Sequence, residues 1–241
     1  MEWVDRTIIL QSLKYGENSL ILTLFTQHKG IKKGIVKTTK KNLQNLHIGN
    51  LTEMKFKNRL EHHLSSVTII NSKNIYPLIF EDQLKFTMIM SIAGILTECL
   101  AENDPHKDLF YLAESLLHEI SRKDALSHYI DFELKLLAEL GFGLDLKKCV
   151  KTGTTKNLTY ISPKTGKVAC LDAGIRHEDK LFKLPQSFLK HTNNSLDNLN
   201  ALKILRFFIE KNLYSIRDKK INNYRFKLEN LYAAQNDNKM Q

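Results

Sequence analysis

Nine basic side chains, Lys29, Lys32, Lys33, Lys37, Lys40, Lys41, Lys55, Lys57 and Arg59, lie between residues 29 and 59 against a single acid, Glu53. Lysine and arginine at that density suit a polyanion, because neutralising phosphates releases condensed counterions and gives affinity without reading bases. A second run holds Lys203, Arg206, Lys211, Arg217, Lys219, Lys220, Arg225 and Lys227 against Glu210 and Asp218. It either extends a phosphate track or forms the solvated face of an amphipathic helix; spacing alone supports both. The candidate nucleic-acid-binding set is therefore Lys32, Lys33, Lys37, Lys40, Lys41, Lys55, Lys57 and Arg59 at the front, with Lys203, Arg206, Arg217, Lys220 and Arg225 behind. Tyr15, Phe25 and Phe56 are aromatic neighbours of the front cluster. They either stack on bases, as in single-strand-binding barrels, or fill a core, and the strand context of the two phenylalanines favours the core.

Other chemistry is sparse. Cys149 and Cys170 flank a loop-rich stretch, but a structural zinc site wants paired thiolates, typically Cys-x-x-Cys twice. The partner positions are Thr152 and Ala173, so each half-site lacks a ligand, and His177 does not restore a set. No metal and no cofactor are expected. His62-His63 beside Ser65 and Ser66 is no catalytic triad, since adjacency in sequence carries no geometry. The phosphate-cradling and zinc-protease motifs are missing too. No catalytic residue is assigned, and the chain is not expected to be an enzyme.

The chain has 241 residues and a formal charge of +10, unevenly distributed. Residues 1–85 carry +6, residues 86–146 carry −7, residues 147–200 carry +6 and residues 201–241 carry +5. A basic front, an acidic middle and a basic back suggest that some surfaces meet a polyanion and others turn from it. The hydrophobic share of 42% supports real cores and excludes a disordered chain. No run approaches the roughly 18 apolar residues of a membrane span, and no secretory leader is read at the N-terminus. Three cysteines fit a reducing cytoplasm better than a disulfide framework.

The first 75 or so residues read as β. Leu20–Phe25 is a short run of strand formers, Lys29-Gly30 turns into Ile31–Lys37, and Thr52, Met54 and Phe56 alternate with Glu53, Lys55 and Lys57. Gly34 inside a strand marks a bulge or barrel bend. Ser66–Ile70 is a further strand, and four or five such strands suit a small closed barrel. From Pro77 the period becomes helical. Residues 80–102 form one apolar helix; a second helix is capped by Asp104 or Asp108 and a third by Asp124, ending at Gly141. Tyr160-Ile161 and Val168–Cys170 flank the turn Ser162–Gly166 as a hairpin. Helices return near 185–190, 196–213 and 221–232. The fold class is α+β, an N-terminal closed β-barrel over 1–77 and an α-helical domain over 78–146 and 185–241. A loop-rich, zinc-finger-like insert without a full cysteine set spans 147–184.

Trp3, Gly16–Leu20, Phe25-Thr26, Gly30 and Lys37–Lys40 resemble, in order, the N-terminal barrel of the RecO family of bacterial recombination mediators. Phe132–Gly143 followed by Cys149 resembles the family's central helix, and Tyr160–Pro163, Ala173-Gly174 and Leu184-Pro185 continue the match. The resemblance implies an OB barrel, a helical domain and an insert that holds zinc in some relatives. It implies binding of single- and double-stranded DNA, annealing of complementary strands, and partnership with the RecR ring protein and with single-stranded DNA-binding protein, to help load RecA. It also implies a cytoplasmic, nucleoid-associated location. Thr38-Thr39 stands where many relatives have Gly-Ala, so a stiffer loop is expected. Ile130-Asp131 stands where some relatives carry a basic residue that grips the single-strand-binding protein's acidic tail. The alternative reading of the residues is an RNA-binding or protein-docking OB scaffold without a repair role.

Overall fold

The computed structural model describes residues 1–58, 64–122, 124–215 and 218–237. Five strands open the chain: β1 (Glu2–Lys14), β2 (Ser19–Thr26), β3 (Gly30–Lys37), β4 (Leu51–Lys57) and β5 (Ser65–Lys73). They close into a barrel in the order β1-β2-β3-β5-β4, an arrangement compatible with the OB fold. The 13-residue β1 makes closure possible, because its two halves serve different neighbours. Glu2–Ile8 pairs antiparallel with β4, and Thr7–Lys14 pairs antiparallel with β2. A register shift between Ile9 and Gln11 lets the strand turn from one partner to the other. The seam is the short parallel pairing of Gly34 and Ile35 with Ser65 and Ser66. A Cβ on Gly34 would lie 2.5 Å from Val67 Cγ1, so the glycine permits the close approach of β5 rather than a bulge in β3. Inward alternation supplies the core: Ile9, Leu22, Leu24, Val36, Leu46, Met54, Phe56 and Val67.

Helices α1 (Tyr76–Ile79), α2 (Gln83–Cys99) and α3 (Lys107–Glu119) follow. Asp82 caps α2, its carboxylate accepting from the backbone N–H groups of Leu84 and Lys85, both at 3.1 Å. The cap expected of Asp104 or Asp108 is not made. His106 occupies the N-cap of α3 without a side-chain hydrogen bond, and Asp104 instead faces His106 Nε2 at 3.4 Å. Met1–Arg122 and Asn222–Leu228 form one compact unit, and Lys123–Ile221 with Glu229–Gln241 form the other. The first three helices therefore group with the barrel.

The second unit begins with α4 (Ala125–Glu139). Asp124 sits at its N-cap but its carboxylate bonds no helix N–H; its Oδ2 faces His128 Nε2 at 3.6 Å, one turn on. The helix stops as expected at Gly141, whose φ of +85° is a left-handed C-terminal conformation. A three-stranded sheet of order β7-β6-β8 follows, built from β6 (Leu158–Ile161), β7 (Val168–Cys170) and β8 (Phe182–Lys183), with α5 (Leu171–Gly174) after β7. The expected hairpin is β6–β7, with Ile161 opposite Val168. Helix α6 (Ser195–Ile209) is capped by Asn194, which accepts from Asp197 N–H at 3.0 Å, and runs into a π-turn at Glu210–Tyr214. Asp197 in turn accepts from Gln186 and Ser187 N–H at 2.8 and 2.7 Å, fixing the chain before α6. The last helix is α7 (Asn223–Asp237). No helix among the described residues is long and apolar enough to cross a membrane.

Candidate nucleic-acid interface

Strand register decides where the front lysines point. Along β3, Lys33, Ile35 and Lys37 alternate outward while Ile31, Gly34 and Val36 are buried. Along β4, Lys55 and Lys57 face out while Met54 and Phe56 enter the core. Lys57 and Ile35 both sit opposite Ser66, so β5 carries the two outward lysine rows on its flanks, about 10 Å apart by strand spacing. The structure thus brings Lys33, Lys37, Lys55 and Lys57 around one wall of the barrel. Arg59, and with it His62-His63, lies outside the described residues.

Their neighbours differentiate them. Lys55 and Lys57 both reach Glu2 across β1, at 2.7 and 3.1 Å. Hydrogen bonds from Lys55 and Lys57, reinforced by their charges, bring the Glu2 carboxyl down to about 2, so it stays ionised and offsets one of the two cations. Lys33 pairs with Glu102 at 2.7 Å, both half-exposed; a surface pair of this kind is worth about 0–1 kcal/mol, weak enough for a phosphate to compete. Lys32 is turned aside to donate to the Asn103 side-chain carbonyl, and burial followed by the nearby Lys29 lowers its pKa. Lys29 itself lies over the Trp3 ring, 5.0 Å from its centroid. The acidic middle of the chain thus answers part of the basic front directly: Glu102 takes Lys33, and Glu114 takes Arg6.

Lys37, Lys40 and Lys41 are exposed, and among the described residues none makes an ion pair. The loop that carries them is tied by its own polar groups. Asn42 donates through Nδ2 to Lys37 O at 2.9 Å and accepts from Thr39 N–H at 2.8 Å, while Thr38 N–H reaches Asn18 O at 2.9 Å. That last bond joins the loop to the β1–β2 hairpin, where Tyr15 N–H donates to Ser19 O at 2.9 Å. Tyr15 is 54% exposed and Lys14 beside it is exposed as well. Three lysines without an ion pair among the described residues, a further lysine and an open aromatic ring therefore cluster at one barrel end. Nothing in the residue pattern singles out Lys14 except its place next to the Tyr15-Gly16 turn. The other aromatic candidates are core: Phe25 meets Phe110 edge-on at 5.5 Å, and Phe56 stacks on Trp3 at 3.8 Å.

The rear cluster divides differently. Lys203 and Lys220 are exposed. Arg206 is not available: its Nε donates to Glu229 Oε1 at 2.9 Å and its Nη1 to Glu210 at 3.2 and 3.3 Å. Arg225 is 0% exposed, and so cannot meet a strand. Arg217 lies outside the described residues. Lys211, in the same unit as Arg206, donates to the carbonyls of Pro163 and Lys164 at 2.7 and 3.0 Å and so holds the β6–β7 turn.

The cysteine half-sites do not fit zinc. Cys149 and Cys170 are buried with Tyr160 and Ala169, and Leu158, Ala173 and Leu181 pack on them, so an apolar cluster holds the insert. Thr152 stands where a ligand would, its hydroxyl 3.6 Å from Cys170 Sγ. Burial pushes the Cys149 thiol up. Hydrogen bonds from the Thr152 hydroxyl and from the backbone at Cys170, Thr152 and Lys151 outweigh this and bring it down to about 6.

A closed five-stranded barrel of this order is compatible with the OB class, and the exposed lysines and aromatic ring at one end have the composition of a surface for a polyanion. Residues 1–76 match the family model for the recombination protein O N terminal, and residues 81–220 match that for its C terminal. The chain is 35% identical over 225 residues to a DNA repair protein RecO of Wolbachia sp. subsp. Drosophila simulans, covering 89% of this chain and 93% of that one. It is 32% identical over 233 residues to a DNA repair protein RecO of Ehrlichia chaffeensis (93% and 96% covered), and 31% identical over 223 residues to that of Sinorhizobium medicae (90% and 89%). The chain belongs to the RecO family, and its role lies in DNA repair and recombination.

Proposed function

We propose that this protein is a non-enzymatic recombination mediator that binds single- and double-stranded DNA, anneals complementary single strands and helps load the recombinase onto DNA coated with single-strand-binding protein. The observation that carries this reading is the end of the barrel over residues 1–77, where Lys37, Lys40 and Lys41 stand exposed on a loop tied to the Tyr15 hairpin. Two strands repel each other, and a cationic surface lowers that repulsion while their bases search for partners. Lys33, Lys55 and Lys57 continue the surface around β5, and Tyr15 offers a stacking face. Exposed Lys203 and Lys220 supplement it in the second unit. Membership of the family supports a RecR-type ring protein, single-strand-binding protein and, indirectly, RecA as partners, and a cytoplasmic, nucleoid-associated place of work. The test is anisotropy of a labelled single strand across a salt series, followed by addition of its complement. Tight binding with a steep salt slope and faster annealing is expected; weak binding at low salt contradicts the reading.

A further inference from the structure

The second unit gathers metal-capable side chains that the DNA-binding reading does not use. Asp124, His128 and Asp131 stand at the N-cap, fourth and seventh positions around the start of α4, a spacing that places them on one face. His191, from the segment between Gln186–Phe188 and α6, reaches the same face from 60 residues away, its Nε2 lying 2.6 Å from Asp131 Oδ2. Its ring meets the His128 ring edge-on with centroids 5.1 Å apart. One ligand atom each from Asp124, His128 and His191 lies within 4.8 Å of the others. In tetrahedral zinc with bonds of about 2.0–2.1 Å, ligand atoms stand about 3.4 Å apart. All three side chains are partly exposed, which leaves room for the rotations that would close the difference.

We infer that Asp124, His128 and His191, with Asp131 beside them, form a binding site for a divalent transition metal, zinc first. Two imidazoles with carboxylates are a donor set of borderline hardness, which suits zinc better than magnesium or calcium. Asp131 completes the site as the carboxylate that engages the His191 ring, the usual support for a metal-bound imidazole. The bound ion would tie the start of α4 to the segment ahead of α6. This site is separate from Cys149 and Cys170, whose surroundings do not fit zinc.

The test is titration of zinc into the full chain by calorimetry, compared with His128→Ala, His191→Ala and the double variant Cys149→Ser/Cys170→Ser. One equivalent should bind to the parent and to the cysteine variant, with affinity falling by about tenfold or more in each histidine variant. Cobalt as a probe should give visible bands without thiolate charge transfer, and those bands should vanish in His191→Ala. Zinc should raise the melting temperature of the parent by mass action but not that of the histidine variants. Should a histidine variant fail to fold, Asp124→Asn reads the same site. No uptake by the parent, uptake that survives both histidine changes, or uptake lost only with the cysteines would each overturn the assignment.

Discussion

The two units both carry basic clusters, yet they hold their charge differently. At the barrel end, Lys37, Lys40 and Lys41 project from a loop whose hydrogen bonds are made by Thr38, Thr39 and Asn42, which leaves the ammonium groups to solvent. In the second unit Arg206 joins two glutamates and Lys211 caps two carbonyls, so cations there organise the protein itself. The lesson is that count does not make a binding surface. A loop that satisfies its backbone with small polar side chains leaves its long cations available; a helix packed against acids does not.

The sharpest way to break this contrast is to remove an internal cation. Arg206→Ala leaves Glu229, only 7% exposed, without this guanidinium partner, and should cost about 3 kcal/mol in chemical denaturation while leaving the DNA affinity of the folded protein unchanged. A loss of affinity without loss of stability would place Arg206 on the DNA. The converse is the triple variant Lys37→Glu/Lys40→Glu/Lys41→Glu. It should weaken single-strand binding by about 10–100-fold at low salt, with the unfolding midpoint unmoved. The salt slope should flatten by about 0.7 for each single-strand phosphate that the variant no longer neutralises. Unchanged affinity would refute the assignment of this loop.

The Cys149 thiol extends the contrast to an internal anion and is read across pH. Its folded value of about 6 lies below the ordinary 9.0, so the folded state holds fewer protons than the unfolded chain between those values. The resulting stabilisation is full above about 9, declines as pH falls and is gone below about 6. Comparing melts of the parent and Cys149→Ser should show a gap that is widest near pH 9 and shrinks toward pH 6; a gap independent of pH would mean that packing alone is at work. The smallest effect belongs to Lys203→Glu/Lys220→Glu, for which anisotropy should show a loss of about threefold or less, as for exposed charges with little fixed geometry. A loss equal to that of the loop variant would erase the distinction between the two clusters.

Much of this was legible in the chain. The short β runs, the Tyr160–Cys170 hairpin and the stop at Gly141 are local events, set by side-chain alternation and by one residue's freedom at positive φ. Phe25 and Phe56 read as core for the same reason. The helix caps were less legible, because a carboxylate near a helix start has competing partners: Asp104 and Asp124 face histidines instead of N–H groups. The stripe Asp124, His128, Asp131 was present in the sequence, but without His191 it is indistinguishable from a solvated helix face.

The elements, the amount of basic charge and the family likeness could be read from the residues alone, since these depend on residue type and near neighbours. Which cations stay free of acids was settled by contacts between distant segments. Lys33 meets Glu102, Arg6 meets Glu114, Arg206 meets Glu229, and Arg225 goes inside. The charge of a side chain is a property of its residue, but its availability depends on acids and burial supplied from far along the chain, and no local pattern encodes those distances.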